Sequence, residues 1–231
     1  MTNRDILGRV AGGLLFAAFL IFHLLYLEKG WNGFNLAARV NSLLITFTIL
    51  LFLSAYFLRT APVIYSRGFT ETLYPLFCAS LPLVIYHNAA LLNYLPPTNS
   101  FYPLVRSLIG LYDHEFLRWN LLSMTLVIAG NLITFIGIIY LKRSFSIMIE
   151  VRNPVFTGIY RYVRHPLYLG EIIATTGVLV FRFSNLNLFL TILFIVTQVI
   201  RSRFEENKLS SVFPSYMEYK QKTGAFFPRF M

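Results

Sequence analysis

The chain consists of long apolar runs separated by short polar segments. Six runs stand out, at residues 10–27, 40–58, 72–95, 119–141, 167–181 and 186–200. A helix that crosses a membrane needs about 20 mostly apolar residues, and the first four runs come close to that length. Because a lipid core offers the backbone no hydrogen-bonding partners, such runs form α-helices rather than open strands. The pattern predicts an all-α fold, a polytopic integral membrane helical bundle with about six membrane helices.

The last two runs are shorter than the others. Each has about 15 residues, and a helix of that length spans only about 22 Å of a hydrocarbon core that is roughly 30 Å thick. A tight turn at Arg182–Asn185 joins them, which predicts a short C-terminal helical hairpin. Residues 203–222 follow, with two acids in their first turn and two lysines in their last. That distribution suits the dipole of a cytoplasmic C-terminal helix.

Composition places the chain among membrane proteins. Hydrophobic residues make up 56% of it and charged residues only 13%, whereas soluble domains carry roughly 25% charged residues. The formal net charge is +10, but the basic residues lie between apolar runs, so nothing favours a nucleic acid partner. With the N-terminus inside, fifteen of the 20 Lys and Arg residues fall in cytoplasmic segments, as the positive-inside rule requires. We therefore expect a multi-pass integral membrane protein with both termini in the cytoplasm.

The most informative polar stretch is residues 158–171, at the start of the fifth run. Pro166 fits the first position of a helix, which places His165 at its cap. Free N–H groups at a helix N-terminus favour anions and Arg164 adds a cation, so a socket for a carboxylate or phosphate is one interpretation. A basic juxtamembrane loop that touches lipid headgroups is the other. Glu171 is a functional candidate because an acid within an apolar run is costly in a membrane.

Other polar residues carry weaker signals. Glu205 and Glu206 are adjacent, so on a helix they point about 100° apart, and one can face a ligand while the other pairs with an arginine. His23 and His87 lie in apolar runs, where a hydrogen-bonded packing role is more common than a ligand role. The single cysteine, Cys78, is expected to be buried and inert. Nothing has the spacing of a metal site, a phosphate-binding loop or a nucleophile elbow.

Residues 160–170 resemble part of a known family of membrane enzymes. They contain Arg164-His165-Pro166-x-Tyr168-x-Gly170, which matches the Arg-His-Pro-x-Tyr-x-Gly signature of isoprenylcysteine carboxyl methyltransferases, a family related to phospholipid N-methyltransferases. Further positions that resemble this family are Arg143–Ser146, Glu205, Glu206, Leu209, Phe213, Tyr216, Tyr219 and Phe227-Pro228. The resemblance covers residues 119–231, which we expect to form a methyltransferase-like membrane core with a cytoplasmic cofactor site. Residues 1–118, with three N-terminal membrane helices and an outside loop at 96–118, match nothing recognisable.

The resemblance implies S-adenosylmethionine as the methyl donor and a lipid or prenylated acceptor, first of all the carboxylate of an isoprenylcysteine-type substrate. It makes Arg164, Glu206 and Arg203 the candidate catalytic residues. The candidate cofactor-binding residues are Tyr160, Tyr162, Arg164, His165, Pro166, Tyr168, Gly170, Glu171, Glu205 and Glu206. The zwitterionic end of the cofactor suits a helix N-terminus, an arginine and an acid. Its sulfonium suits tyrosine faces, and Gly170 permits close approach. No metal is expected.

Departures from the family pattern leave the acceptor open. Pro214 stands where the family commonly has glycine, and Thr223–Ala225 occupy the place of an expected basic residue. A phospholipid amine is therefore an alternative acceptor. A sterol-reductase-like enzyme that uses NADPH shares a His-Pro-x-Tyr-x-Gly element, but the adjacent Glu205 and Glu206 favour the methyltransferase. A non-catalytic scaffold or transporter is the remaining alternative, although charges near the middle of the apolar runs are too few to favour a transporter.

Overall fold

The described part of the chain is an all-helical bundle. The structure, a computed structural model, describes residues 3–33, 36–87 and 120–229 and the isolated positions 98, 100 and 103. Its helices are α1 (Asn3–Gly30), α2 (Leu36–Leu58), α3 (Gly68–His87), α4 (Asn120–Leu141), α5 (Pro166–Phe181), α6 (Asn185–Ser210) and α7 (Pro214–Lys222). In these ranges α1, α2, α3, α4 and α6 are long and apolar enough to cross a membrane. The predicted polytopic helical bundle is confirmed, and the predicted outside loop lies outside the described residues apart from the isolated positions.

The helix ends that surround the candidate site all lie at one end of the bundle. Asp5 in the first turn of α1 lies 3.5 Å from Arg59, which follows α2. Glu71 in the first turn of α3 lies 2.6 Å from Lys208, near the end of α6. We call this end, where α1, α3 and α5 begin and α2, α4 and α6 end, the proximal end. The alternation is the one expected of helices that cross a membrane in sequence.

Close packing of α4 against α5 depends on small residues. A Cβ atom at Gly130 would lie 2.4 Å from the backbone nitrogen of Ala174, and one at Gly170 would lie 2.4 Å from Oγ1 of Thr134. Gly177 extends the same face, where a Cβ would lie 2.8 Å from Val127. Small residues let helix backbones approach closely in membranes, where apolar side chains gain little by leaving lipid. The start of α5 is thereby held at a fixed height beside α4.

The hairpin of α5 and α6 is less symmetric than the sequence predicts. The α5 helix has 16 residues, in agreement with the short run. The α6 helix has 26 residues, enough for about 39 Å. The expectation that this helix is as short as the sixth apolar run, 186–200, is therefore wrong. Its start is capped by Ser184, whose Oγ accepts a hydrogen bond from the backbone N–H of Asn187 at 3.1 Å. No proline or glycine interrupts 201–210, and the helix therefore continues.

The separate helix predicted at residues 203–222 is also corrected. Residues up to Ser210 belong to α6, and a new short helix, α7, begins at Pro214. Proline has no N–H to donate and suits the first helical position, which explains the break at this point. The two acids of the segment consequently lie in the last turns of a membrane helix instead of the first turn of a cytoplasmic one.

Segment 145–152 connects the two halves of the chain through an isolated backbone pairing. Its backbone pairs with the segment after α2, since the N–H of Val63 donates to the carbonyl of Val151 at 2.7 Å and the N–H of Val151 donates to that of Ile64 at 2.9 Å. The odd-numbered residues Phe145, Ile147, Ile149 and Val151 are buried. Of the even-numbered residues, Ser146, Met148 and Glu150 are half-buried and Arg152 is buried.

Aromatic residues of α1 and α2 fix the start of this segment. The ring of Phe145 lies 4.8 Å from that of Phe52, which stacks at 5.0 Å on Phe16. The hydroxyl of Tyr56 accepts a hydrogen bond from the N–H of Ile147 at 3.0 Å. The N-terminal helices therefore help to position a segment that lines the candidate site.

Candidate active site at the proximal end

A cavity of about 120 Å³, open on one side, lies at the proximal end. Its walls are segment 141–155, the start of α5 with the turn before it, the last turns of α6, and α7. The polar and aromatic residues that line it are Ser144, Phe145, Ser146, Glu150, Arg152, Asn153, Tyr160, Arg164, His165, Tyr168, Glu205, Tyr216 and Tyr219. Five of the predicted site residues are among them: Tyr160, Arg164, His165, Tyr168 and Glu205. The structure thus brings five of the eleven predicted site residues to one cavity.

The start of α5 has the predicted local structure. His165 is the N-cap and Pro166 is the first helical residue. The 3₁₀ turn Gly158–Arg161 leads into it, and Gly158 has a positive φ of 62°. A Cβ atom at Gly158 would lie 2.2 Å from the ring of Tyr140, so glycine is required there both by its backbone conformation and by space. These constraints place Tyr160 and His165 at the cavity.

Glu206 is the centre of a buried ion cluster beside the cavity. Its Oε1 accepts hydrogen bonds from Nε of Arg164 at 2.7 Å and from Nε2 of His165 at 3.0 Å. Its Oε2 lies 3.0 Å from Nζ of Lys220 in α7. Three elements, the start of α5, the end of α6 and α7, therefore converge on one carboxylate.

Arg164 also fastens the C-terminal segment to α5. Its Nη1 donates to the carbonyl oxygens of Lys220, at 3.1 Å, and of Thr223, the carbonyls at the end of α7. Its backbone N–H donates to the carbonyl of Gly224 at 2.9 Å. A cation is favourable at a helix C-terminus. The guanidinium that the sequence suggests for a bound anion is thus largely engaged by the protein, and its role as a cofactor ligand stays a prediction.

Glu205 belongs to a second cluster and points away from the first. Its Oε1 lies 3.3 Å from Nε of Arg201 and accepts a hydrogen bond from the hydroxyl of Tyr168. The guanidinium of Arg201 lies 4.8 Å from the centre of the Tyr168 ring and donates to the carbonyl of Ile147 at 2.6 Å. Adjacent carboxylates thus serve different partners, as helix geometry predicts.

Four tyrosines give the cavity aromatic and hydroxyl surfaces: Tyr160, Tyr168, Tyr216 and Tyr219. Burial raises the pKa of Tyr219 to about 12. Burial also raises the pKa of Tyr160 and of Tyr216, and nearby negative charge adds to the effect in both. The phenols of Tyr160, Tyr216 and Tyr219 therefore remain neutral hydrogen-bonding groups at physiological pH.

The other predicted site residues do not line the cavity. Tyr162 is 62% exposed, and Arg203 is also exposed. Pro166 is buried within the start of α5. The structure uses Gly170 for contact with α4, and Glu171 accepts a hydrogen bond from Nε2 of Gln198 at 2.6 Å. Glu206 is not among the lining residues, but its partners Arg164 and His165 are. Direct roles of these residues in binding or catalysis stay predictions.

Glu150 and Arg152 line the cavity but were not among the residues singled out from the sequence. Each lies at an even-numbered position of segment 145–152, next to a buried odd-numbered residue. The sequence does contain a pattern that points to this segment, because residues 145–152 alternate between apolar residues at odd positions and mostly polar residues at even ones. Alternation of that kind is typical of a half-buried strand, but no element was predicted for residues 147–152 from the sequence.

Glu150 and Arg152 join a buried charge network that reaches α1. Oε2 of Glu150 lies 2.7 Å from Nη2 of Arg152 and 3.7 Å from Nη1 of Arg59. Arg59 also lies 3.5 Å from Asp5, which pairs with Arg9 at 2.9 Å. Asp5, Arg59 and Arg152 are at most 3% exposed. The N-terminal half of the chain therefore contributes charged groups next to the cavity.

Three weaker candidates from the sequence remain: His23, Cys78 and His87. Nε2 of His23 lies 3.0 Å from the carbonyl of Ser42, and Cys78 is buried, so the hydrogen bond predicted for His23 and the burial predicted for Cys78 are confirmed. The side chain of His87 lies outside the described residues. Across the described ranges, no group of three or more His, Cys, Asp or Glu side chains is placed to hold a metal ion.

Comparison with known proteins connects this cavity to a family. Residues 119–215 match the model of a family described as phospholipid methyltransferase. No curated protein matches the chain. The matched range contains α4, α5, α6 and segment 145–152, and thus three of the four walls of the cavity. The match supports a membrane methyltransferase, and it ends before most of α7.

Proposed function

We propose that the chain is an S-adenosylmethionine-dependent methyltransferase whose active site is the proximal cavity. The match to a methyltransferase family covers three of the four cavity walls, and this is the observation that carries the proposal. The acceptor that we propose is lipid-like and anionic, with the carboxylate of an isoprenylcysteine-type molecule as its model.

The residues of the cavity fit such a cofactor. S-adenosylmethionine supplies a methyl group on a positively charged sulfur, which a well-placed nucleophile can take. Tyr160 and Tyr216 line the cavity, and aromatic rings attract a cation. The start of α5 offers the N-terminal end of a helix, which favours the cofactor's carboxylate. Because the cavity encloses only about 120 Å³, a nucleoside-sized ligand extends through its open side.

The ion pairs of the carboxylates that line the cavity favour an anionic acceptor over an amine. An amine must lose a proton before it attacks, which requires a base such as a free carboxylate. Glu150 and Glu205 line the cavity, and each lies within 4 Å of an arginine. Each of these carboxylates already has a cationic partner within the protein, so neither is free to bind and deprotonate an incoming amine. A carboxylate acceptor is already deprotonated and needs only to be positioned and shielded from water.

The basic residues support a cytoplasmic orientation of the proximal end. Lys142, Arg143, Arg161 and Arg203 are exposed in segments at this end, and the positive-inside rule places such residues in the cytoplasm. Both ends of the described chain, at the start of α1 and after α7, lie at the proximal end as well. We therefore propose that the active site and both termini face the cytoplasm.

A phospholipid amine is the second candidate acceptor. The description of the matched family names phospholipids, and this observation favours it. The cavity would then have to supply a base for the amine. Of the acids that line it, Glu205 would have to leave Arg201, or Glu150 would have to leave Arg59 and Arg152.

The acceptor is tested with a labelled methyl group. Purified protein in detergent is incubated with methyl-labelled S-adenosylmethionine and either N-acetyl-S-farnesylcysteine or phosphatidylethanolamine. We expect label in the farnesylcysteine, released as methanol by mild alkali because the product is a methyl ester. Label found only in phosphatidylethanolamine and stable to alkali would replace the first acceptor by the second. Label in neither would contradict both.

A further inference from the structure

Arg152 has hydrogen-bonding capacity that the protein does not use. Its side chain is 3% exposed and lines the cavity. Nη2 donates to Glu150 at 2.7 Å, but Nε and Nη1 have no hydrogen-bond partner among the described residues. Unpaired buried donors are costly, and in native structures each needs an explanation. A ligand in the cavity that accepts these two N–H groups is such an explanation.

The charges around Arg152 also call for an anion. Among the described side chains, the network contains the guanidinium groups of Arg9, Arg59 and Arg152 but only the carboxylates of Asp5 and Glu150. One positive charge therefore has no counterpart. Burial lowers the pKa of Arg59, and the charge of Arg152 lowers it further. Buried charges are stable only when they are paired, and an oxyanion in the cavity would restore the balance.

We propose that Arg152 binds the anionic group of the lipid-like acceptor and thereby determines which acceptors enter the cavity. This inference rests on the proposed function. The shared chemistry is an oxyanion attached to an apolar tail, either a carboxylate or a phosphate. A guanidinium presents paired donors to such a group in a fixed plane, which lysine does not.

The position of Arg152 favours the acceptor over the cofactor as its ligand. Its network continues to Arg59 at the end of α2 and to Asp5 at the start of α1. The last residues of α2, Phe57 and Leu58, are 61% and 60% exposed, as expected of a helix that faces lipid. An apolar tail beside α1 and α2 would therefore bring its polar end to Arg152. Asp5 and Arg59 also lie outside the range matched to the methyltransferase family.

The test measures binding without methyl transfer. Wild-type protein, Arg152→Gln and the control Arg161→Gln, which removes an exposed arginine near the cavity, are titrated with three probes in an uncharged detergent. The probes are N-acetyl-S-farnesylcysteine, its methyl ester and dodecyl phosphate. We expect wild type and Arg161→Gln to bind one of the anions at least tenfold more tightly than the ester. Arg152→Gln should bind that anion no better than the ester.

The outcomes separate the alternatives. Loss of carboxylate binding in Arg152→Gln identifies a carboxylate acceptor, loss of dodecyl phosphate binding identifies a phosphate, and either supports the proposal. Anion binding equal in all three proteins would overturn it. In a separate titration with S-adenosylmethionine, weaker binding by Arg152→Gln together with unchanged binding of the anion would also overturn it, because Arg152 would then serve the cofactor.

Two controls keep the result interpretable. Because no methyl donor is needed, anion binding that depends on Arg152 in a protein that transfers no methyl group contradicts the proposed function but not this inference. If Arg152→Gln does not fold, as shown by its thermal unfolding, Arg152→Lys replaces it. Lysine can keep the ion pair with Glu150, but its single ammonium cannot present a planar pair of donors like Nε and Nη1 of arginine. At least a tenfold loss of anion binding is therefore again expected, and unchanged binding would overturn the proposal.

Discussion

Glu206 is the residue on which the contacts of the site converge. Its carboxylate holds Arg164 and His165 at the start of α5 and Lys220 in α7. The same contacts set the position of His165, which lines the cavity. A single substitution at Glu206 therefore tests whether the ion cluster organises the site.

Replacing Glu206 with glutamine is expected to destabilise the protein strongly. Glutamine keeps the shape of the side chain but leaves Arg164 and Lys220 without a negative partner, and removing one member of a buried pair costs about 3 kcal/mol. The measurement is the unfolding free energy in detergent. Glu218→Gln, at an exposed position of α7, is the control and should change it by less than about 0.5 kcal/mol. Equal effects would show that the cluster is not essential.

The buried tyrosines predict loss of stability in alkali. The pKa of Tyr219 is raised to about 12 from an unfolded value of about 10. Because the folded pKa is the higher one, the stability from this group is complete below pH 10 and declines as the pH rises toward 12. Tyr219→Phe should therefore lose less thermal stability between pH 8 and pH 11.5 than wild type. The exposed Tyr162→Phe should lose as much as wild type, and identical curves for all three proteins would refute the assignment.

At the scale of elements, the contact between α4 and α5 fixes the height of the site. Glycine at position 170 belongs to the signature that suggests a cofactor, but in the structure its missing side chain makes room for Thr134 and Gly130 of α4. The carbonyl of Gly130 would lie 2.6 Å from an added Cβ. Backbone atoms cannot yield at that distance without moving the helices apart.

Gly170→Ala should consequently lower stability. Overpacking of a tight contact costs about 1–3 kcal/mol, and the thermal unfolding midpoint should fall by several degrees. Gly33→Ala is the control, since an added Cβ there meets nothing within 4 Å. If Gly170→Ala keeps full stability but loses cofactor binding, the glycine serves the ligand directly, as the motif alone suggests.

The elements also show where the sequence is informative and where it is not. Apolar runs identify α1, α2, α3 and α4 because length and hydrophobicity alone define a membrane helix. The end of α6 was misplaced because its last ten residues, 201–210, are polar, and hydropathy does not register a helix that leaves the membrane. The cap at His165 was predicted because proline restricts the start of a helix.

At the scale of the whole molecule, the site depends on both halves of the chain. Motif residues such as His165 and Tyr168 could be predicted from the sequence because they lie together in it. Arg152 could not be placed, since its surroundings depend on Asp5 and Arg59, which are far away in sequence. Contacts of this kind follow from the packing of α1 and α2 against segment 145–152, and no local sequence pattern predicts them.

The central claim, that the cavity binds S-adenosylmethionine, is tested most directly by calorimetry on the full-length protein in detergent. S-adenosylmethionine and NADPH are titrated separately into wild type, Glu206→Gln and Glu218→Gln, after each variant has been shown to be folded. We expect wild type and Glu218→Gln to bind S-adenosylmethionine in the micromolar range, Glu206→Gln to bind it at least tenfold more weakly, and none of them to bind NADPH. Binding of NADPH alone would contradict the methyltransferase and favour a reductase.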